Sequence, residues 1–357
     1  MSEPGLWKDD WPKARQAFTD WWAGKGLAVH ITAPKDEPWE DVPPPPPDAS
    51  EQDLWLDPDL RLQRELYRMA NTFFGGVAFP LFDGDVGGPG SLGLFLGAEG
   101  HVAENTVWYQ PCISDPDRHP PLRFDPENRW WKLHLEVLER AARFAEGRYL
   151  LGFPDLIENI DTLAQLRGAD HTLMDLLERP EWVKKCLSEI NAAYFEAYDR
   201  LLERVRDPWG GSAFTAFQLW GPGKTAKVQC DFSCMISPAM FREFVVPALD
   251  EQCRRMDFVL YHLDGTQALP HLDALLSIES IHAIEWTPQA GLPRGGDPQW
   301  YDLYRRIRDA GKSVQAVEVE PDHLLPLVDA VGTQGLFAIT RAGSESRARE
   351  LLRRLGW

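Results

Sequence analysis

No stretch of the 357 residues is apolar over the roughly 20 positions that a membrane-spanning helix needs. The N-terminus has no apolar signal-peptide core either, so a cytoplasmic chain is expected. Cysteine is scarce. The five present are odd in number and irregularly spaced, which argues against a disulfide framework and for a reducing compartment. Cys230 and Cys234 have no second pair to accompany them, so a structural zinc site is not expected. Basic residues are outnumbered, 37 Lys and Arg against 55 Asp and Glu, and the net charge is −18. Nucleic acid and anionic membranes both demand a basic footprint and are excluded as partners. No strand is followed by the glycine fingerprint of a dinucleotide site. The Gly87-Gly88-Pro89-Gly90 segment lacks the lysine and spacing of a phosphate loop and reads as a turn.

What remains is ample for a core, at 44% hydrophobic residues. The length would allow two domains, but α/β barrels often run this long as one. Fifteen tryptophans is a high count, and several fall where strands are expected to end, as in an aromatic-lined pocket.

The organising stretch is Asp257 to Gly265, where an apolar run stops at His262-x-Asp264-Gly265. A short apolar run between helical patterns reads as a strand buried on both faces of a parallel sheet. An imidazole, a carboxylate and a turn glycine then share its C-terminal end. Two roles fit: chemistry at a barrel rim, or a plain turn in which His262 caps and Asp264 opens the next helix.

Other strands are expected at Leu27–Ala33, Gly76–Phe82, Tyr149–Pro154, Ala213–Leu219, Ile281–Trp286, Val314–Val319 and Leu336–Thr340, with helices between. Eight strands in α/β alternation predict a single (β/α)₈ TIM barrel spanning residues 1–357. Residues 1–54 are an N-terminal extension comprising an aromatic helical segment, the first strand and a proline-rich loop. Within it, Pro43 to Pro47 must run extended, and residues 35–53 are placed outside the barrel. Residues 101–127 are read as an irregular excursion over the rim.

The polar residues at the strand ends are Asp83, Asp85, Asp155, Glu158, Trp220, His262, Asp264, Glu285, Trp286, Glu318, Glu320 and Arg341. Such an acidic basin needs protonation or a cation. His262, Asp264 and Glu285 on adjacent strands form an acceptable ligand set for a divalent metal, zinc first, with manganese or iron(II) as alternatives. They are also the candidate catalytic residues. Asp83, Asp155, Trp220, Trp286 and Glu318 are candidate substrate contacts, and Tyr261 is a further wall unless alternation turns it outward. Metal-free acid–base work by a carboxylate pair is the competing reading.

Longer motifs carry a resemblance. The run Gln229-x-Asp231-Phe232-Ser233-x-Met235-Ile236-Ser237-Pro238 and its continuation to Pro247 resemble the uroporphyrinogen decarboxylase superfamily. His262-x-Asp264-Gly265, Ile284-x-Trp286-x-Pro288 and Gly343-Ser344-Glu345-x-x-Ala348 do likewise, as does Asp161-Thr162-Leu163 with Leu166-Arg167-Gly168 and Leu176. The likeness covers most of residues 55–357 and implies one barrel with its site at the strand C-termini. The arginine-rich run that decarboxylases carry near the first strand is absent, since Pro34-Lys35-Asp36 follows it, so porphyrinogen is not the expected substrate.

The methyltransferase-like members resemble the chain better. By that resemblance His262 stands for their zinc-binding histidine, Asp264 occupies the position of a cysteine ligand, and Glu285 matches a downstream glutamate. Their late cysteine has no counterpart in Thr340-Arg341-Ala342-Gly343. The resemblance implies metal-assisted methyl or one-carbon transfer on a small molecule or a corrinoid, with a corrinoid protein as partner. Loss of both thiolates argues for a harder metal or an acceptor other than a thiol. A lyase or hydrolase acting on a carbohydrate-like or methoxylated molecule, and a non-catalytic barrel that binds a corrinoid partner, stand beside it. An oligomer is compatible with the sequence.

Overall fold

The computed structural model describes residues 6–86, 88–103 and 106–357. Gly87, within the glycine-rich turn, and residues 104–105, within the expected rim excursion, lie outside the described residues.

Helix α1 (Trp11–Trp22) has Trp11, Ala14, Phe18, Trp21 and Trp22 buried, the spacing of one helical face. It closes the end of the molecule where strands begin. Trp11 packs on Phe79 and Phe18 on Phe337, and the Trp21 indole donates to the Val314 carbonyl.

The strands in chain order are β1 (Leu27–Pro34), β2 (Thr72–Gly76), β3 (Leu81–Phe82), β4 (Glu99–Ala103), β5 (Thr106–Gln110), β6 (Leu150–Phe153) and β7 (Ser212–Phe214). They continue as β8 (Leu219–Gly221), β9 (Thr225–Gln229), β10 (Phe258–Asp264), β11 (Ala283–Thr287), β12 (Ser313–Val319) and β13 (Leu336–Arg341). The main sheet has the order β2-β1-β13-β12-β11-β10-β9, all parallel except β2, and helices connect its successive strands. A second sheet has the order β3-β6-β7-β8, parallel up to β7. The chain is thus an α/β protein built on parallel strands. At one seam Ser212 Oγ of β7 bridges to Gly223 O and Thr225 N; near the other, Val77, in the segment leading from β2 to β3, donates its N–H to Val29 O of β1 at 2.8 Å. Among the described residues no strand ladder crosses either seam.

Four readings need correction. Gly76–Phe82 is not one strand: its parallel pairing is confined to Leu81–Phe82, and Thr72–Gly76 forms a separate antiparallel strand before it. Ala213–Leu219 is not one strand. Phe217 and Gln218 take left-handed backbone angles (φ 60° and 52°), which fold it into the tight β7–β8 turn. The strand Thr225–Gln229 was not anticipated, because its polar Lys227 and Gln229 interrupt the apolar run that marks a buried strand. Part of the excursion expected at 101–127 belongs to the antiparallel β4–β5 hairpin. Residues 38–49 form no helix or strand, as the prolines require. Among the described residues no helix is long and apolar enough to cross a membrane.

Candidate functional site

Register decides which side chains share a face. His262 pairs with Gln229 on one side and Glu285 on the other, and Glu285 pairs with Gln315. Neighbouring strands lie about 4.8 Å apart, so these four side chains form one row across four strands. Asp264 stands one step nearer the strand ends, and Asp231 follows the end of β9.

His262 is held through Nδ1, which is hydrogen-bonded to Glu285 Oε2. The other oxygen of Glu285 accepts from Thr287 Oγ1 at 2.6 Å. The Phe217 ring covers one face of the imidazole, with centroids 4.6 Å apart. Nε2 is therefore the ring nitrogen left to act. One donor atom from each of Asp231, His262 and Asp264 lies within 4.8 Å of the others. Burial works against charging His262, but the charge and hydrogen bond of Glu285, reinforced by Asp231, leave its pKa above the ordinary value. Desolvation raises the Asp231 carboxyl, with Asp264 and Asp155 adding repulsion against the pull of His262 and Lys227.

Beside this triad runs a chain of buried polar groups. Lys227 has no exposed side-chain surface. Its Nζ meets Asp155 Oδ2 at 2.7 Å and donates to Gln229 Oε1, and Gln229 Nε2 donates to Asp231 Oδ2 at 2.8 Å. Burial opposes the Lys227 charge, yet Asp155, Glu158 and Asp231 hold its pKa above the usual lysine value. Glu158 accepts from the Gln229 backbone at 2.6 Å, and Asp161 from the backbones of Asp231 and Phe232, both at 2.8 Å. Burial pushes the Glu158 carboxyl up to about 8, and burial with the nearby Asp231 pushes Asp161 up to about 7. Asp85 is raised well above its normal range by burial and by Asp83 and Asp155.

The expected site residues separate into groups. His262 and Asp264 come together with Asp231. Glu285 is fully buried on the far side of the imidazole, where it orients His262 and is not part of the donor cluster. Asp155 sits in the basin, paired to Lys227. Asp83 lies at its edge in an ion pair with the buried Arg61 (2.8 Å). Glu318 is exposed, with a left-handed φ of 51° at a register shift in β12.

Two tryptophans are elsewhere. Trp220 packs against Trp11 and Phe18 of α1 and donates to Asp207, so it lies at the opposite end of the strands. Trp286 pairs in register with Leu263, not with His262. It turns away from the imidazole and packs against Trp300. Tyr261 follows the same parity and is 1% exposed. Asp264 caps no helix: the next helical turn has Ala268 at its N-cap position.

The residues that sequence reasoning missed are Asp231, Asp161, Lys227 and Gln229. The signal was present as a period-two alternation, Thr225, Lys227, Gln229 and Asp231 facing one way and Ala226 and Val228 the other. Among the described residues, the five non-glycine residues with left-handed φ (Ile157, Asn159, Phe217, Gln218 and Glu318) lie beyond or late in the strands β6, β7 and β12. Strained backbone of this kind collects at functional sites. No protein-family model matches the chain, and no curated protein matches it.

Proposed function

We propose that the two sheets form the wall of a (β/α)₈-type barrel, and that the chain is a metal-dependent enzyme working at the C-terminal rim. The reading is carried by Asp231, His262 and Asp264, which present one nitrogen and two carboxylate donors within 4.8 Å while Glu285 fixes the imidazole from behind. A carboxylate behind a ligating histidine is a common support for a metal site. Oxygen and nitrogen donors without a thiolate suit zinc, manganese or iron(II). Such an ion would supply Lewis-acid activation of a bound substrate or nucleophile. His262 and the two aspartates would hold it, Glu285 would set the tautomer, and Lys227 would keep Asp155 and the basin floor charged but balanced.

The reaction we assign is methyl or one-carbon transfer on a small molecule, with a corrinoid protein as the candidate carrier. This rests on the motif resemblance to methyltransferase-like members of the uroporphyrinogen decarboxylase superfamily. Porphyrinogen itself is a poor substrate for this basin. Its buried cations, Arg61 and Lys227, are already paired with Asp83 and Asp155, which leaves the rim acidic.

Metal analysis of untagged wild-type protein tests the reading. One ion per chain is expected, with near-complete loss in His262→Ala and Asp264→Asn. Glu285→Gln should keep the site and weaken affinity by roughly 10–100-fold. Full occupancy and undiminished activity in His262→Ala would overturn it. A second reading, metal-free acid–base lyase or hydrolase chemistry, draws on the Asp161 carboxyl, which titrates near neutrality. Wild type without metal, losing activity on Asp161→Asn, would favour that alternative.

A further inference from the structure

An open pocket of about 420 Å³ adjoins the triad, sharing Asp231 and Gln229 with it. Its volume is in the range of small-molecule sites. Tyr109, Ile157, Phe232 and Met235 give it apolar and aromatic walls, and Asp161 and Asp231 supply charge. Among the described residues that line it there is no lysine, arginine or histidine.

Two of its three side-chain donors are already engaged. The Tyr109 hydroxyl donates to Pro89 O, and the Gln229 amide is held between Lys227, Asp231 and Asp161. What remains is the carboxyl groups of Asp161 and Asp231 and one neutral amide, that of Gln165. Such a lining, with two carboxyl groups and no cationic side chain, repels anions and offers the oxygens of a neutral polyol a single side-chain amide. It suits a positive charge spread over alkyl groups, which is attracted to carboxylates and aromatic faces without needing an acceptor for each hydrogen.

We propose that this pocket binds an alkylated ammonium group, so that the small-molecule substrate or effector of the rim is an organic cation. The proposal deepens the reading of the rim as the working face. With a dication held by Asp231, His262 and Asp264, Asp161 remains the carboxyl group that the pocket itself presents, so the preference is tested with metal bound and removed.

Choline is the probe, set against its uncharged carbon isostere 3,3-dimethylbutan-1-ol and the anion 3,3-dimethylbutanoate. Calorimetric titrations of chelated and zinc-loaded protein are expected to show choline binding at least tenfold tighter than the alcohol and no binding of the anion. Met235→Lys puts a cation on a half-exposed wall, where folding is not at stake. It is expected to weaken choline binding at least tenfold and leave binding of the alcohol alone. Equal binding of choline and the alcohol, binding of the anion, or a Met235→Lys protein that binds choline normally would each overturn the proposal. Metal content measured in the same samples separates the two readings. Choline binding without metal retention fails only the metal assignment, and metal retention without choline selectivity fails only this one.

Discussion

From β9 through β13 to β1 the parallel strands are paired over four or more residues at each step, whereas β3–β6 and β6–β7 are joined by two pairs each. In the short-paired half, side chains do the joining. Glu158 and Asp161 accept the backbone N–H groups at and beyond the end of β9, and Arg61 and Arg68 reach the carbonyls of Asp83 and Leu81. Buried backbone groups must be paired by something. Where strands are too short to do it, charged side chains stand in. Those same charges make the acidic basin, while the regular half supplies the rigid row of His262 and Glu285. One half positions; the other tunes.

The sharpest way to break that contrast is to remove the β9 charge that pairs with the irregular half and a methyl group from the regular half itself. Lys227→Met leaves Asp155 buried without its partner and is expected to cost about 3–5 kcal/mol. Ile284→Val on β11 should cost only about 0.5–1.5 kcal/mol. Urea denaturation of both variants checks the difference, and similar costs would mean that the ion network is not holding its half together.

Glu158 gives a pH test of the same idea. Its folded pKa of about 8 lies above the ordinary glutamate value of 4.5. A raised carboxyl pKa means that the folded state binds the extra proton between those values. Its stabilising share is therefore complete below about 4.5 and is lost as pH rises through 8, by up to about 1.4 kcal/mol per pH unit. Glu158→Gln keeps the acceptor for Gln229 N–H and never ionises. The melting temperature of the variant should gain on wild type from pH 5 to pH 9 and stay level beyond. A constant gap would place Glu158 in a more solvated setting.

The smallest effect concerns the β7–β8 turn of the irregular half. Phe217 is left-handed, a conformation costing most residues about 1–2 kcal/mol. Glycine adopts it freely, so Phe217→Gly should be more stable than Phe217→Ala by roughly 1 kcal/mol, the reverse of the usual order. Both variants lose the ring over His262. Thermal melts of the pair decide it; alanine at least as stable as glycine would mean that the turn relaxes.

β10 to β13 and β1 were legible because each is an apolar run bounded by helical pattern, and hydrophobic periodicity survives without knowledge of neighbours. His262 and Asp264 were legible as the polar end of such a run. β9 was not, since a lysine and a glutamine in its middle look like surface until a partner carboxylate and a neighbouring strand are known. Nor was the β7–β8 turn, because its left-handed residues are a phenylalanine and a glutamine, and no glycine marks it.

By itself, then, the sequence determined the α/β class, the acidic character and the strand that carries the histidine, all of which follow from composition and local period. Only the tertiary structure decided the rest. Strand register put Glu285 behind the imidazole, the end of β9 brought Asp231 in front of it, and the same alternation turned Trp286 and Tyr261 away. Which carboxylate orients and which can bind is a matter of a few ångströms between strands far apart in the chain, and no local pattern encodes that distance.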